Sequence, residues 1–274
     1  MTTTLRPTEP LQHNADGTRS RRYEVCVNSR PVGTIRIGTH PVFGDAVARI
    51  QKLRIEEADR RRGRGTVAVL AAEEIARGWG CQRIEAMVPA EPEAAFRLAT
   101  ALGYVVRNRN LEKPLGDVPP GLPEGSHARP MTRAEFGPWL DKGREDYARS
   151  WTERGVPETE ARAKSERDHA TLLPDGHATP GMLVSVLEHE GTPVGTLWLA
   201  LRDEKAFVYD VETDAAHRGK GHGRTLMLLA EAQTIAANKR TLGLNVFAGN
   251  TPAERLYESL GYETKQYALY KPLL

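Results

Sequence analysis

Cys26 and Cys81 are the only two cysteines in 274 residues, which excludes a small domain held together by disulfides. Both sit in apolar stretches with no histidine at metal-ligand spacing, so they read as buried thiols in a reducing compartment, and no metal is expected. Long apolar runs are missing too. The first twenty residues are too polar for a secretory signal, so a cytoplasmic location away from any membrane is expected, with the head through Ser20 partly disordered. Neither sign of charge is in excess: 38 basic against 36 acidic residues leave a net charge of +2, which removes any global reason to expect nucleic-acid binding. Aromatics are only 6% of the chain, yet a hydrophobic content of 39% can supply a core. The length suits one large domain or two small ones.

What the chain does contain is a strand-to-helix join from Tyr209 to Arg224, Tyr-Asp-Val-Glu-Thr-Asp-Ala-Ala-His-Arg-Gly-Lys-Gly-His-Gly-Arg. Phe207 to Thr213 is rich in β-branched and aromatic residues, whereas Leu226, Leu229 and Ala230 fall at helical spacing. Between them Arg218, Gly221 and Gly223 form Arg-x-x-Gly-x-Gly. Glycines there let backbone N–H groups converge at a helix N-terminus, where the dipole favours an anion such as a pyrophosphate. Lys220 and Arg224 add positive charge at the rim. An ordinary tight turn has the same local pattern. The dinucleotide fingerprint does not fit, because the following strand carries Asn245 where an acidic residue is required, and no P-loop Lys-Ser/Thr pair follows the last glycine.

The same order occurs twice. Arg60 and Arg218, Gly63 and Gly221, Gly65 and Gly223, Tyr104 and Tyr262 are each 158 residues apart, as are Lys113-Pro-Leu115 and Lys271-Pro-Leu273. A constant offset across both glycine loops and both closing segments indicates duplication of one domain. The expected division is residues 1–115, a Pro/Gly-rich linker at 116–128, and residues 129–274. Only the second half carries the helical segments Thr132 to Trp151, opened by the capping box of Thr132 and Glu135, and Pro157 to Leu172. The first half therefore reads as truncated at its front.

Strand, Arg-Gly-Lys-Gly-His-Gly-Arg, helix, strand Leu242 to Phe247, then Asn250 to Tyr262 (Asn-Thr-Pro-Ala-Glu-Arg-Leu-Tyr-Glu-Ser-Leu-Gly-Tyr) resembles the GNAT acetyltransferases. The resemblance implies an α/β fold of two tandem GNAT-like domains, each a mixed, mostly antiparallel twisted sheet with flanking helices. It also implies acetyl-CoA as co-substrate, its pyrophosphate held by Arg218, Gly219, Lys220, Gly221, His222, Gly223 and Arg224, and its pantetheine arm bonded by backbone around Val211 to Thr213. Asn250 is a further candidate cofactor contact or a turn residue. His217 and His222 themselves lack a partner in the sequence and read as solvated loop histidines.

Acetyl transfer to an amine needs a proton acceptor and a proton for the departing thiolate. Asp210 and Glu212, two apart on a strand, face one side, with Tyr209, Val211 and Thr213 on the other. Pairing with surface cations is the bland alternative for both. By resemblance Glu212, six residues before Arg218, holds the place often occupied by the general base. Tyr257 is a candidate proton donor or else a core-edge tyrosine, and its helix is expected to open on the capping motif Thr251-Pro-Ala-Glu254.

At the corresponding places the first half has Lys52, Arg54, Pro92 and Ala99. It keeps an arginine-rich anion loop from Arg60 to Gly65 and is expected to be catalytically silent. Reading that loop as a nucleic-acid patch lacks interleaved aromatics. The expected activity is N-acetyl transfer from acetyl-CoA to a small-molecule amine or protein lysine, in the second half. The alternative is a non-catalytic acyl-CoA-binding regulatory protein. Asp141, Glu145 and Asp146, near Trp139, Tyr147 and Trp151, could draw in a cationic acceptor, although a solvated acidic helix face fits the same residues.

Overall fold

The computed structural model describes residues 2–273. In chain order the first half gives β1 (Thr3–Pro7), β2 (Gln12–His13), β3 (Arg19–Val27), β4 (Arg30–His40), β5 (Gly44–Ile55), α1 (Arg64–Gly78), β6 (Arg83–Pro89), α2 (Ala94–Ala101) and β7 (Val105–Pro114). The second gives β8 (Ser126–Pro130), α3 (Arg133–Thr152), α4 (Glu158–Leu172), β9 (Met182–His189), β10 (Thr192–Leu201), β11 (Ala206–Thr213), α5 (His222–Ala236), β12 (Thr241–Phe247), α6 (Thr251–Ser259) and β13 (Glu263–Pro272). The head is ordered, against expectation. β1 pairs antiparallel with β3, from Thr3↔Val27 to Pro7↔Tyr23, and Leu5 packs against the core.

Two compact units result, one holding the residues up to Arg109 together with those from Lys265 on, the other Asn110–Thr264. This differs from the expected division at residues 115 and 129, because β7 crosses the boundary and most of β13 joins the first unit. The strand order is β1-β3-β4-β5-β6-β13 in the first unit and β7-β12-β11-β10-β9-β8 in the second. Short turns make most neighbours antiparallel, while the helical crossovers α1 and α5 make β5–β6 and β11–β12 parallel. β1 stands where β8 stands in the second unit, each pairing with the strand that opens the following hairpin. The front of the first unit is thus shortened by the two helices and not by the strand.

Each core is the apolar side of a sheet covered by its crossover helix. In the first unit Val25, Ile35, Ile37 and Ile84 pack with Ala68, Ala72 and Ala76 of α1. In the second, Leu197, Leu199, Val208, Leu242 and Leu244 pack with Leu226, Met227, Leu229 and Ala230 of α5 and with Tyr257 of α6. On the opposite face Trp198 and Val186 pack with Phe136, Trp139 and Leu173 of the α3–α4 segment. The capping box at Thr132 forms: the Glu135 N–H donates to Thr132 Oγ1 at 3.3 Å, and the Thr132 N–H donates to the Glu135 carboxylate at 2.8 Å.

Both units bury the same polar triad. Lys271 Nζ donates to Glu73 at 2.7 Å and lies 5.8 Å from the Tyr104 ring in the first. Lys113 Nζ donates to Glu231 at 2.7 Å and lies 5.6 Å from the Tyr262 ring in the second. The lysines are equivalent in the repeat, yet each neutralises the glutamate of the other copy, so the closing strands are exchanged. Glu73 is only 2% exposed, and a carboxylate so placed is costly without its partner. Lys271→Met is expected to destabilise the protein by about 3 kcal/mol, measured as a lower urea midpoint. The double change Lys271→Met with Glu73→Leu should recover most of that loss.

Candidate active site

The parallel pairing of β11 with β12 runs from Ala206↔Leu242 to Val208↔Leu244 and then stops. β11 continues to Thr213 and β12 to Phe247, so the strands part and the backbone of Val211 to Thr213 faces a gap. β10 approaches closely from the other side: a Cβ added to Gly195 would lie 2.3 Å from the Glu212 carbonyl oxygen.

At the end of the gap is the glycine loop. Gly219 and Gly221 have φ of +77° and +90°, and Gly221 is the N-cap of α5, a conformation that disfavours other residues. The Arg218 guanidinium donates back to the Thr213 carbonyl at 3.2 Å, closing the turn. Arg224 and Thr225 N–H groups bond to the Gly221 carbonyl, and the N–H groups of His222 and Gly223 have no acceptor within the helix. A Cβ at Gly223 would lie in ordinary contact with Leu256 at 3.4 Å and Thr213 at 3.7 Å. The Lys220 side chain is exposed and has no ion-pair partner among the described residues. This cradle, with a positive rim, fits an anionic group at the helix N-terminus. The geometry recurs in the first unit, where Arg60 donates to the Ile55 carbonyl at 3.0 Å and Gly63 caps α1 at φ +72°.

Both carboxylates lie on β11, but a bulge changes which way their neighbours face. Trp198 pairs with Asp210 while Leu199 pairs with Val208, leaving Tyr209 as the extra residue. Tyr209 therefore does not face away as strict alternation predicts. It packs with Trp198 at a ring-centroid distance of 4.8 Å, on the α3–α4 side.

Glu212 is clamped. Lys142 of α3 donates to both its oxygens at 2.7 Å and to Asp146 at 2.6 Å, and the Arg218 guanidinium is 4.0 Å away. The carboxyl of Asp210 is raised to about 6, first by burial and then by the negative charge of Glu212, with Lys142 opposing. Tyr257, 6% exposed, is pushed up to about 12, first by burial and then by the charge of Asp210. Asp210 thus sits within electrostatic reach of the phenol on one side and of the ammonium of Lys142 on the other.

The remaining candidates take other positions. Asn250, not Thr251, is the N-cap of α6, its side chain accepting from the Ala253 N–H at 3.4 Å. His222 is buried at 6% exposure and so is not the solvated residue expected. Asp141 and Glu145 are exposed on the helix surface, and Asp146 is shared between Lys142 and Arg149, which makes this face an ion-paired helix surface. Trp151 is buried against Phe247 at 5.7 Å, and the Tyr147 hydroxyl donates to Asp168 at 2.9 Å, so both act in the packing around α3. The helical spacing pairs Lys142 with Asp146, but nothing in it marks Glu212, 70 residues away, as a partner.

The sequence pattern of the Acetyltransferase (GNAT) family matches residues 2–104 and again residues 140–262. The chain is a tandem member of the GNAT acetyltransferase family, and an acyltransferase. It is 32% identical over 151 residues to the uncharacterized N-acetyltransferase YycN of Bacillus subtilis, covering 53% of this chain and 96% of that one. It is 31% identical over 204 residues to the mycothiol acetyltransferase of Thermomonospora curvata, covering 74% of this chain and 66% of the relative. A GCN5-related N-acetyltransferase structure from Sphaerobacter thermophilus superposes with a TM-score of 0.61 at 19% identity, over 92% of this chain and 80% of that one. Within this tandem GNAT chain, no helix of the described residues is long and apolar enough to cross a membrane. No cluster of three or more His, Cys, Asp or Glu that could hold a metal occurs among them either.

Two measurements check the electrostatics. Lys142→Met should raise the Asp210 titration midpoint above about 6 and Glu212→Gln should lower it, because one change removes an attracting charge and the other a repelling one; carboxyl NMR titration reads both. An acid whose folded value is raised binds its proton more tightly when folded, so its ionisation weakens the fold as pH climbs from about 4 to about 6. Asp210→Asn should accordingly raise stability at pH 8 by about 3 kcal/mol and leave it unchanged near pH 3, in urea titrations at the two values.

Proposed function

We propose that this protein transfers an acetyl group from acetyl-CoA directly to a primary amine, and that the second unit carries the chemistry. The observation that supports this most is the Asp210–Tyr257 pair at the opened end of β11: a carboxyl raised to about 6 within electrostatic reach of a phenol raised to about 12. Environments that separate an acid from a base in this way suit paired proton transfers near neutrality.

In this reading the loop from Arg218 to Arg224 holds the pyrophosphate, and the backbone of Val211 to Thr213 holds the pantetheine arm where β11 and β12 part. Acetyl-CoA supplies an activated thioester. Asp210 is ionised at pH 7 and accepts the proton of the incoming ammonium, so that nitrogen can attack the thioester carbonyl. The N–C bond forms as the C–S bond breaks, and the Tyr257 hydroxyl donates its proton to the departing sulfur. The new amide nitrogen sheds its second proton, which through solvent restores the Tyr257 hydroxyl, and Asp210 releases the first, so one proton is liberated per turnover.

Glu212 is not the base in this scheme, although it occupies the expected place. Its charge is neutralised by Lys142 at 2.7 Å, so its contribution is to hold α3 against β11 and to raise Asp210. The first unit has Lys52 and Arg54 at the matching strand positions, both exposed, and supplies no acid–base pair. The acceptor is a small-molecule amine or a lysine of a protein.

Thiol release from acetyl-CoA in the presence of an amine panel tests the scheme. Asp210→Asn and Tyr257→Phe are expected to cut kcat by about 10²-fold or more while sparing CoA affinity, whereas Glu212→Gln should change it by about tenfold or less. The acid limb of kcat/KM should have its midpoint near about 6 and vanish in Asp210→Asn. Full activity in Asp210→Asn would refute the assignment, and CoA binding without thiol release from any amine would leave a binding protein.

A further inference from the structure

One face of the first unit's sheet is left bare by that unit's own helices. Tyr23 of β3, Ile35 of β4 and Leu53 of β5 pack into the core with α1, and α2 joins the same core through Leu98 and Ala99. The neighbouring residue along each strand points the other way. There Arg22 pairs with Arg36, and Arg36 pairs in turn with Lys52, so three cations stand directly opposite one another across adjacent strands. All three are exposed. Arg36 donates to Ser20 Oγ at 3.2 Å, while the side chains of Arg22 and Lys52 have no hydrogen-bond or ion-pair partner among the described residues. Glu24, on the same face, is already taken by Arg6 at 2.6 Å.

In the second unit the equivalent row is Val184, Trp198 and Asp210, joined by the same register. Even the bulge is shared, since Gln51 is the extra residue of β5 as Tyr209 is of β11. Val184 and Trp198, however, are covered by the α3–α4 segment. The first unit has no such helices, which explains why its row is polar. It does not explain why the row carries a single sign. Directly opposed like charges repel, and solvation of a bare face asks only for polar residues. Three aligned cations on a rigid sheet are what a chain of anions would pair with.

We propose that this face docks an acidic segment of a partner protein, with the Arg22–Arg36–Lys52 row meeting its carboxylates. The row spans two strand spacings, about 10 Å, a reach that neighbouring carboxylates on one peptide match. Nucleic acid fits less well. No aromatic ring stands beside the row to stack a base, its neighbours on this face being Ser20, Thr34 and Gly38, and a net charge of +2 for the whole chain gives little long-range attraction for a polyanion.

Fluorescence anisotropy of the full chain at low ionic strength tests this, and its readout does not depend on acetyl transfer. The probes are a short labelled peptide of alternating Glu and Ser, the same peptide with Gln in place of Glu, and a labelled single-stranded oligonucleotide of equal charge. The Glu peptide should bind, the Gln peptide should not, and added salt should weaken the binding. Arg22→Gln combined with Arg36→Gln and Lys52→Gln should weaken it about tenfold or more. Arg61→Gln combined with Arg62→Gln, in the glycine loop of the same unit, should change it by about threefold or less. Removing charges that repel should not lower the urea midpoint of the triple variant; if the midpoint does fall, Arg36→Gln alone should weaken binding about threefold, and an unchanged affinity there would refute the proposal. Failure of the Glu peptide to bind would overturn it, as would binding that the triple variant keeps and the loop variant loses. Tighter binding of the oligonucleotide than of the peptide through the same row would replace the acidic protein by a nucleic acid and so overturn it too.

Discussion

The parting of β11 from β12 after Val208 is the constraint on which the shape of the second unit's candidate site depends. Parallel strands satisfy each other's backbone groups only while they remain adjacent. Once they diverge, the N–H and C=O groups of Val211 to Thr213 that face β12 are left without a strand partner, and the glycine loop beyond adds the open N-terminus of α5. The Arg218 guanidinium bonds back to the Thr213 carbonyl and so ties the end of the strand to the turn before the helix. The bulge at Tyr209 completes the arrangement by turning that ring onto Trp198 and leaving Asp210 opposite Trp198 at the mouth of the gap.

Electrostatics then separates two carboxylates that the strand treats alike. Glu212 is bonded to Lys142, while burial and the repulsion of Glu212 raise Asp210. One residue is thereby tied into structure and the other left able to exchange a proton near neutrality. The choice is made by α3, because Lys142 projects from that helix onto Glu212.

The duplicated halves kept the architecture more faithfully than the charged residues of β5 and β11. Gly33 and Gly195 are equally pressed, each by a strand carbonyl 2.3 Å from where a Cβ would lie, and Arg60 repeats the bond of Arg218. The buried Glu–Lys–Tyr triads are also repeated, which follows from the cost of leaving either glutamate unpaired. Lys52 and Arg54 stand outside these requirements on the solvent side of β5, where exchange of an acid for a base carries little structural penalty.

The sequence by itself determined the repeat, the α/β class, the two glycine loops and the capping box at Thr132, because each is a local pattern of spacing, turn chemistry or periodicity whose physics acts within a few residues. It also narrowed the acid–base candidates to Asp210, Glu212 and Tyr257. Which carboxylate is clamped was decided only in the tertiary structure, since Lys142 lies 70 residues from Glu212 and a side-chain pair at that separation leaves no periodic trace. The same holds for the exchange of closing strands, where Lys113 and Lys271 are interchangeable until the fold assigns each its glutamate. It holds as well for His222, which is buried beside the rings of His189 and His217 although it stands in a glycine-rich loop.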